Sequence, residues 1–325
     1  MNHPVPRDPF EERLADQLRR CEPRLGLFGP DSMTWRVYRE RALILGGPRA
    51  LMLQLAHPAV AKGVVDHSRF EDDALGRGQR TFDVVNAIAF GSVDEALKAA
   101  RRMRRRHDSV AGRLDTGEAY DARDPALLMW VAATLIDSAI WSYDRLVAPL
   151  SESLREQLYA EQRRWFWAYG LDPDTTPRTY RDFRHYMVRM LRGPTLSATP
   201  AARAVMDALL AQEPSAFLST VLAISPGILL RLLDRDPARR LSLRVLVTWA
   251  GALAPERLRE GFGLSWGLEE KAIWAATVRG VRTLVPTLPP VARYHPAYLE
   301  ALRRVSGRGS ERLETGRAEK GLSDR

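Results

Sequence analysis

Apolar side chains recur at spacings of three and four along most of this chain, and that period leaves few folds open. Between Val93 and Val110 it places Val93, Ala96, Leu97, Ala100, Met103, His107 and Val110 mostly on one helical face. A second segment, Pro125 to Leu146, opens with Asp124 as an N-cap and proline in the first turn. Leu128, Val131, Leu135 and Ser138 share one of its faces. Ser151 opens a third long helix, Ser151 to Tyr169, carrying Glu152, Arg155, Glu156 and Tyr159. Alternating β-branched runs bounded by Asn-Gly or Asp-Gly turns are absent. The expected fold is all-α, a multi-helix bundle.

A chain of 325 residues, 45% hydrophobic and 27% charged, can bury one large core. The expected organisation is an N-terminal arm (1–24), a helical domain (25–306) and a disordered polar tail (307–325) with almost no large apolar groups. Turn-rich connectors fall at Leu171–Arg178, and around Gly193-Pro194 and Thr199-Pro200. The first 20 residues lack the apolar run of a signal peptide. Ala216 to Leu233 is the most apolar later stretch, but Ser225, Pro226, Gly227 and Arg231 break it. It reads as a buried helix pair rather than a membrane span, and peripheral membrane contact stays open.

Composition excludes several chemistries. The single cysteine, Cys21, cannot form a disulfide within the chain or hold a thiolate zinc or iron–sulfur site. Such usage suits a reducing, cytoplasmic setting. P-loops, Gly-rich dinucleotide fingerprints, Gly-x-Ser-x-Gly elbows and paired zinc-binding histidines are all missing. The net charge of +9 would suit nucleic acid, anionic lipid or an acidic cofactor. Arginine is used throughout, however, and no motif that reads DNA or RNA appears, so sequence-specific nucleic-acid binding is not expected.

Of the six histidines, His3, His57, His67, His107, His185 and His295, the fourth stands apart. His107 ends the run Lys98, Arg101, Arg102, Arg104, Arg105, Arg106, yet lies on the apolar stripe with Met103 and Val110. A core-facing imidazole beside so many cations is held neutral, the form that coordinates iron. Basic side chains one turn away, Arg104 among them, could meet two carboxylates. The same pattern also describes a hydrogen-bonded core histidine beside a solvated basic ridge. Arg77, Arg80 and Thr81, at i, i+3 and i+4, share a face if their segment is helical. Within Pro48 to Ser68, Gln54, His57 and His67 are polar groups in apolar surroundings, and His57-Pro58 ends or kinks a helix. They either satisfy hydrogen bonds or line a pocket.

Taken in order, these residues form a series: Gly47-Pro48-Arg49-Ala50-Leu51, Gln54-Leu55-Ala56-His57-Pro58, Val60-Ala61, Gly63-Val64, His67-Ser68, Arg77-x-x-Arg80-Thr81, Phe90-Gly91 and His107-x-x-Val110-x-Gly112. Tyr120, Asp124-Pro125, Trp130-Val131, Thr134-Leu135 and Asp137-Ser138 follow. The series closely resembles the MpaB and rubber-oxygenase family of haem oxygenases, from about Leu25 to Pro286. The resemblance implies an all-helical fold enclosing haem b, with His107 as the proximal iron ligand. Val110, Gly112, His57 and Arg104 would then border the cofactor, and Arg77, Arg80 and Thr81 would be the catalytic residues of the distal side. It further implies dioxygen and an apolar, isoprenoid- or lipid-like molecule as partners. Departures from the family pattern are specific. Arg80 stands where rubber oxygenases carry a lysine, and a guanidinium has no lone pair for iron. No glutamate precedes that motif at the family's position; the nearest acids are Asp66 and Glu71. Ala132 replaces a common histidine. Cleavage of rubber itself is not expected, and no segment matches a transmembrane anchor of the MpaB kind. The reading from another class is a non-enzymatic helical protein that binds haem or lipid, or nucleic acid through Lys98–Arg106.

Overall fold

A computed structural model describes residues 8–68, 70–211, 248–249, 251–252 and 254–307. Helices dominate: α1 (Pro9–Arg19), α2 (Met33–Tyr38), α3 (Gly47–Leu55), α4 (Pro58–His67), α5 (Phe70–Phe90), α6 (Val93–His107), α7 (Pro125–Leu146), α8 (Glu152–Ala168), α9 (Tyr180–Arg192) and α10 (Pro200–Ala211). Then come α11 (Glu256–Gly261), α12 (Leu268–Leu284), α13 (Pro290–Arg293) and a last helical stretch, 296–307. A 3-10 helix, Arg41–Gly46, leads into α3. The long helices start where their caps predict. Asp124 accepts from the Ala126 amide at 2.7 Å, with Pro125 in the first turn. Ser92 and Glu95 cap α6 reciprocally, and Ser151 caps α8. Prolines set other boundaries: α3 stops at Leu55 before Pro58 opens α4, and Pro200 opens α10.

Helix α7 runs through the middle. Trp130, Ala133 and Thr134 are fully enclosed, and the Trp130 indole donates to the Leu53 carbonyl at 3.0 Å. It packs on α3, the 3-10 helix, α8 and α12. Among the described residues it is the helix long and apolar enough to cross a membrane, yet 67% of its apolar window is buried inside the protein. That burial fits a core helix. The apolar stretch 216–233 lies outside the described residues, as does the polar tail from 308 on. Within the expected N-terminal arm, α1 sets Phe10 and Leu14 into the main core and packs against α8.

Buried charge ties α7 to α3. Arg49 and Asp137, 6% and 7% exposed, pair at 2.6 Å, and Arg49 also donates to the Ser138 hydroxyl at 3.1 Å. A second enclosed acid, Glu40, receives a two-pronged pair from Arg293 at 2.8 and 2.9 Å. Glu40 and Tyr294 form a β-bridge, so the chain's late segment is fastened to the end of α2. Close approach requires glycine at Gly26, whose φ is +73° and where a Cβ would run into the Gly91 carbonyl.

The helical expectation holds, with one small addition. The fold is mostly helical, but Ala111–Arg113 and Ala119–Asp121 pair as a two-stranded antiparallel hairpin. Its turn is closed by Leu114 and Glu118, with Gly117 at φ +88°. No Asn-Gly or Asp-Gly pair marks it; Asp115-Thr116-Gly117 supplies the left-handed residue one position later.

Candidate functional site

The residues singled out in the sequence fall into two neighbourhoods. The first surrounds the C-terminal end of α6. His107 is the last residue of that helix and is half-buried; its carbonyl accepts from the Val110 amide at 3.1 Å. Val110 packs with Ala59, Tyr120 and Leu127. Gly112 lies under the Tyr120 ring, where a Cβ would come within 2.7 Å of the phenol oxygen. His67 joins the same group through its Nε2, 3.1 Å from the Ala111 carbonyl. Tyr120 donates to Asp66 at 2.7 Å, and Lys62 meets the other oxygen of that carboxylate at 2.7 Å. Those two bonds, the lysine's first, hold Asp66 below the usual carboxylate range, while burial and then Asp66 push Tyr120 up to about 12. His57 precedes α4 and leaves its Nδ1 buried without a hydrogen-bond partner. Burial lowers its pKa against the pull of Asp124 and Glu118, so the ring is neutral near pH 7.

Helix α5 does run through Arg77–Thr81, so Arg77, Arg80 and Thr81 share one helical face. Arg80 and Thr81 are exposed there. Arg104 is turned elsewhere. Its guanidinium lies 4.8 Å from the Phe10 ring centroid and 3.3 Å from Asp8, so it anchors the start of α1.

The second neighbourhood was not readable from motifs. A cavity of about 310 Å³ lies between the 3-10 helix, α5 and α7. Leu43, Ile44, Phe82, Val85, Leu135 and Ala139 give it a largely apolar wall, and Trp165 lines it from α8. Glu40, Arg41, Asn86 and His295 contribute the polar groups. His107, Arg80 and Thr81 are not in its wall. The Ala297 amide donates to His295 Nδ1 at 3.2 Å, so the neutral ring carries its proton on Nε2. That nitrogen lies 3.1 Å from the Asn86 side-chain amide.

Burial, and secondarily Arg41, lower His295 from 6.5 to about 4. The sign follows directly. Below pH 6.5 the unfolded chain takes up a proton that the folded chain refuses until about pH 4. The stability this histidine contributes is therefore present above pH 6.5 and lost as pH falls towards 4. At 1.36 kcal/mol per pH unit, the loss approaches about 3 kcal/mol. Urea unfolding of His295→Gln should vary correspondingly less between pH 7 and 4.5 than that of the parent protein. Parallel pH profiles for the two would show that His295 titrates normally.

Mostly helical architecture, a half-buried histidine closing one helix and a largely apolar cavity define a helical domain with an internal pocket. Residues 35–283, more than three quarters of the chain, match the family model described as ER-bound oxygenase mpaB/B'/rubber oxygenase, catalytic domain, and the chain belongs to this family. No curated protein and no solved structure matches the chain.

Proposed function

We propose that the protein is a haem b-dependent oxygenase, with His107 as the iron's protein ligand and an apolar, isoprenoid- or lipid-like substrate. The lone Cys21 suits work in a reducing, cytoplasmic setting. The donor set fits a porphyrin. Among the described residues no three His, Cys, Asp or Glu side chains gather as a bare metal would need. Haem brings four nitrogens of its own and asks the protein for as little as one imidazole.

The observation that carries the reading is the position of His107 relative to α5. Two helices joined by Gly91 and Ser92 and packed on each other run antiparallel. The 15 residues of α6 rise roughly 21 Å from Val93 to His107. The same length counted back from Phe90 along α5 ends at Gly76, one residue past Arg77. His107 therefore sits about level with the Arg77-x-x-Arg80-Thr81 face. Beside that face a Cβ added to Gly78 would meet nothing within 4 Å, so space is open there.

Haem, when bound, supplies the iron and the redox chemistry through which dioxygen is used. The chain's own residues hold and orient. His107 donates one ring nitrogen, Arg80 and Thr81 offer N–H and O–H donors that favour developing negative charge, and the neutral His57 adds an unsatisfied ring nitrogen. Arg80 keeps its charge and cannot enter the coordination sphere as a lysine would.

The absorbance spectrum of the purified protein is the test. A Soret band with stoichiometric iron is expected. Colourless protein that takes up no added haemin, and binds DNA in a salt-dependent way, would replace this reading with the nucleic-acid one.

A further inference from the structure

The cavity beneath the 3-10 helix carries a feature that an apolar substrate pocket does not call for. Arg41 lines it, half-buried, and its Nε donates to the Tyr294 carbonyl at 3.0 Å. Among the described residues no carboxylate pairs with it. Burial lowers its pKa, with no acid opposing that effect. A guanidinium keeps its charge regardless, so this one stands partly desolvated and uncompensated, which is costly. The neighbouring acid is already committed: Glu40 is taken by Arg293 at 2.8 Å, with Arg39 3.6 Å away. Arg293 and Arg39 thus already share this one glutamate, and Arg41 is left with the Tyr294 carbonyl. Asp83, which influences His295 from α5, accepts from Gln79 at 2.9 Å and still leaves the balance positive.

The rest of the wall has the opposite character. Val85, Ala50, Ala139 and Trp165 are buried, whereas Arg41 and His295 are only half-buried. The apolar wall thus runs from the half-buried Leu43, Ile44, Phe82 and Leu135 to these enclosed side chains. At about 310 Å³ the cavity has the size of a small-molecule pocket.

We propose that this cavity is a binding site for a medium-chain carboxylate, an anionic head on an apolar tail of about eight carbons. The carboxylate pairs with Arg41, and the tail lies along Phe82, Val85, Leu135 and Ala139. The site does not depend on haem, because none of His107, Arg80 and Thr81 lines it.

Calorimetric titration of the full chain with octanoate and with octanol tests the proposal. Octanoate should bind, and octanol should bind roughly tenfold or more weakly, since a hydrogen bond to a charged group is lost. Arg41→Met should weaken octanoate by roughly ten- to a hundredfold and leave octanol unchanged. Arg41→Lys, which keeps the charge, should retain most of the affinity, and melting curves establish that both variants fold. Equal binding of octanoate and octanol, or octanoate binding indifferent to Arg41→Met, would overturn the proposal. So would loss of haem from Arg41→Met together with loss of octanoate binding in haem-loaded protein, which would assign Arg41 to a haem propionate instead.

Discussion

Replacing His107 by alanine should leave a folded protein that has lost its haem. The side chain is half-buried at the last position of α6, so its removal opens no large cavity. Alanine is the better helix former. The melting temperature should therefore move by only a few degrees. Haem content, measured as the pyridine haemochrome, should fall by an order of magnitude or more, because neither the hairpin nor α4 offers the iron an equivalent ring. His67 is engaged with the Ala111 carbonyl, and His57 is held at the N-cap of α4. Undiminished haem with an unshifted Soret band in the alanine variant would remove His107 from the site.

The largest effect on stability is expected at the Arg49–Asp137 pair. Both residues are nearly enclosed, at 6% and 7% exposure, and the pair closes at 2.6 Å. Arg49→Met keeps the length of the side chain but strands a carboxylate in the interior. Breaking a buried pair from one side costs about 3–5 kcal/mol. The cost should appear as a lower denaturant midpoint with little change in slope. Removing both charges, as Arg49→Met with Asp137→Leu, should recover most of the loss, because two desolvated ions are exchanged for apolar packing. A single variant that loses less than about 1 kcal/mol would mean that the carboxylate finds water or another donor.

Much of this architecture was legible because it is local. Asp124 and Pro125 announce the start of α7, Ser92 and Glu95 that of α6, and Pro58 the break between α3 and α4. Each signal lies within four residues of the boundary it sets. The hairpin escaped because its strands are three residues long and its left-handed residue, Gly117, comes one place later than the short-hairpin pattern expects. Arg104 shows the limit for charges. Nothing in the basic run distinguishes the arginine that reaches across to Asp8 and Phe10, 96 and 94 positions earlier, from those that do not. The cavity was illegible for the same reason. Tyr38, Asn86, Trp165 and His295 converge only through tertiary packing. In the sequence Arg41 is one basic residue among 49, and its lack of an acidic neighbour emerges only in three dimensions.

The fastening of Glu40 to Arg293 and Tyr294 has a consequence for what counts as the unit of this protein. The family match ends at 283, yet the clasp that neutralises a 2%-exposed carboxylate comes from beyond it. His295 and Pro296, which wall the cavity, come from beyond it as well. Homology and folding therefore draw different borders here. A chain trimmed to the shared core would leave Glu40 only the longer 3.6 Å contact with Arg39 and would open the cavity on one side. The segment after α12 behaves as a lid sewn shut by charge, so variation in that segment would retune the chamber while leaving the residues that define the family untouched.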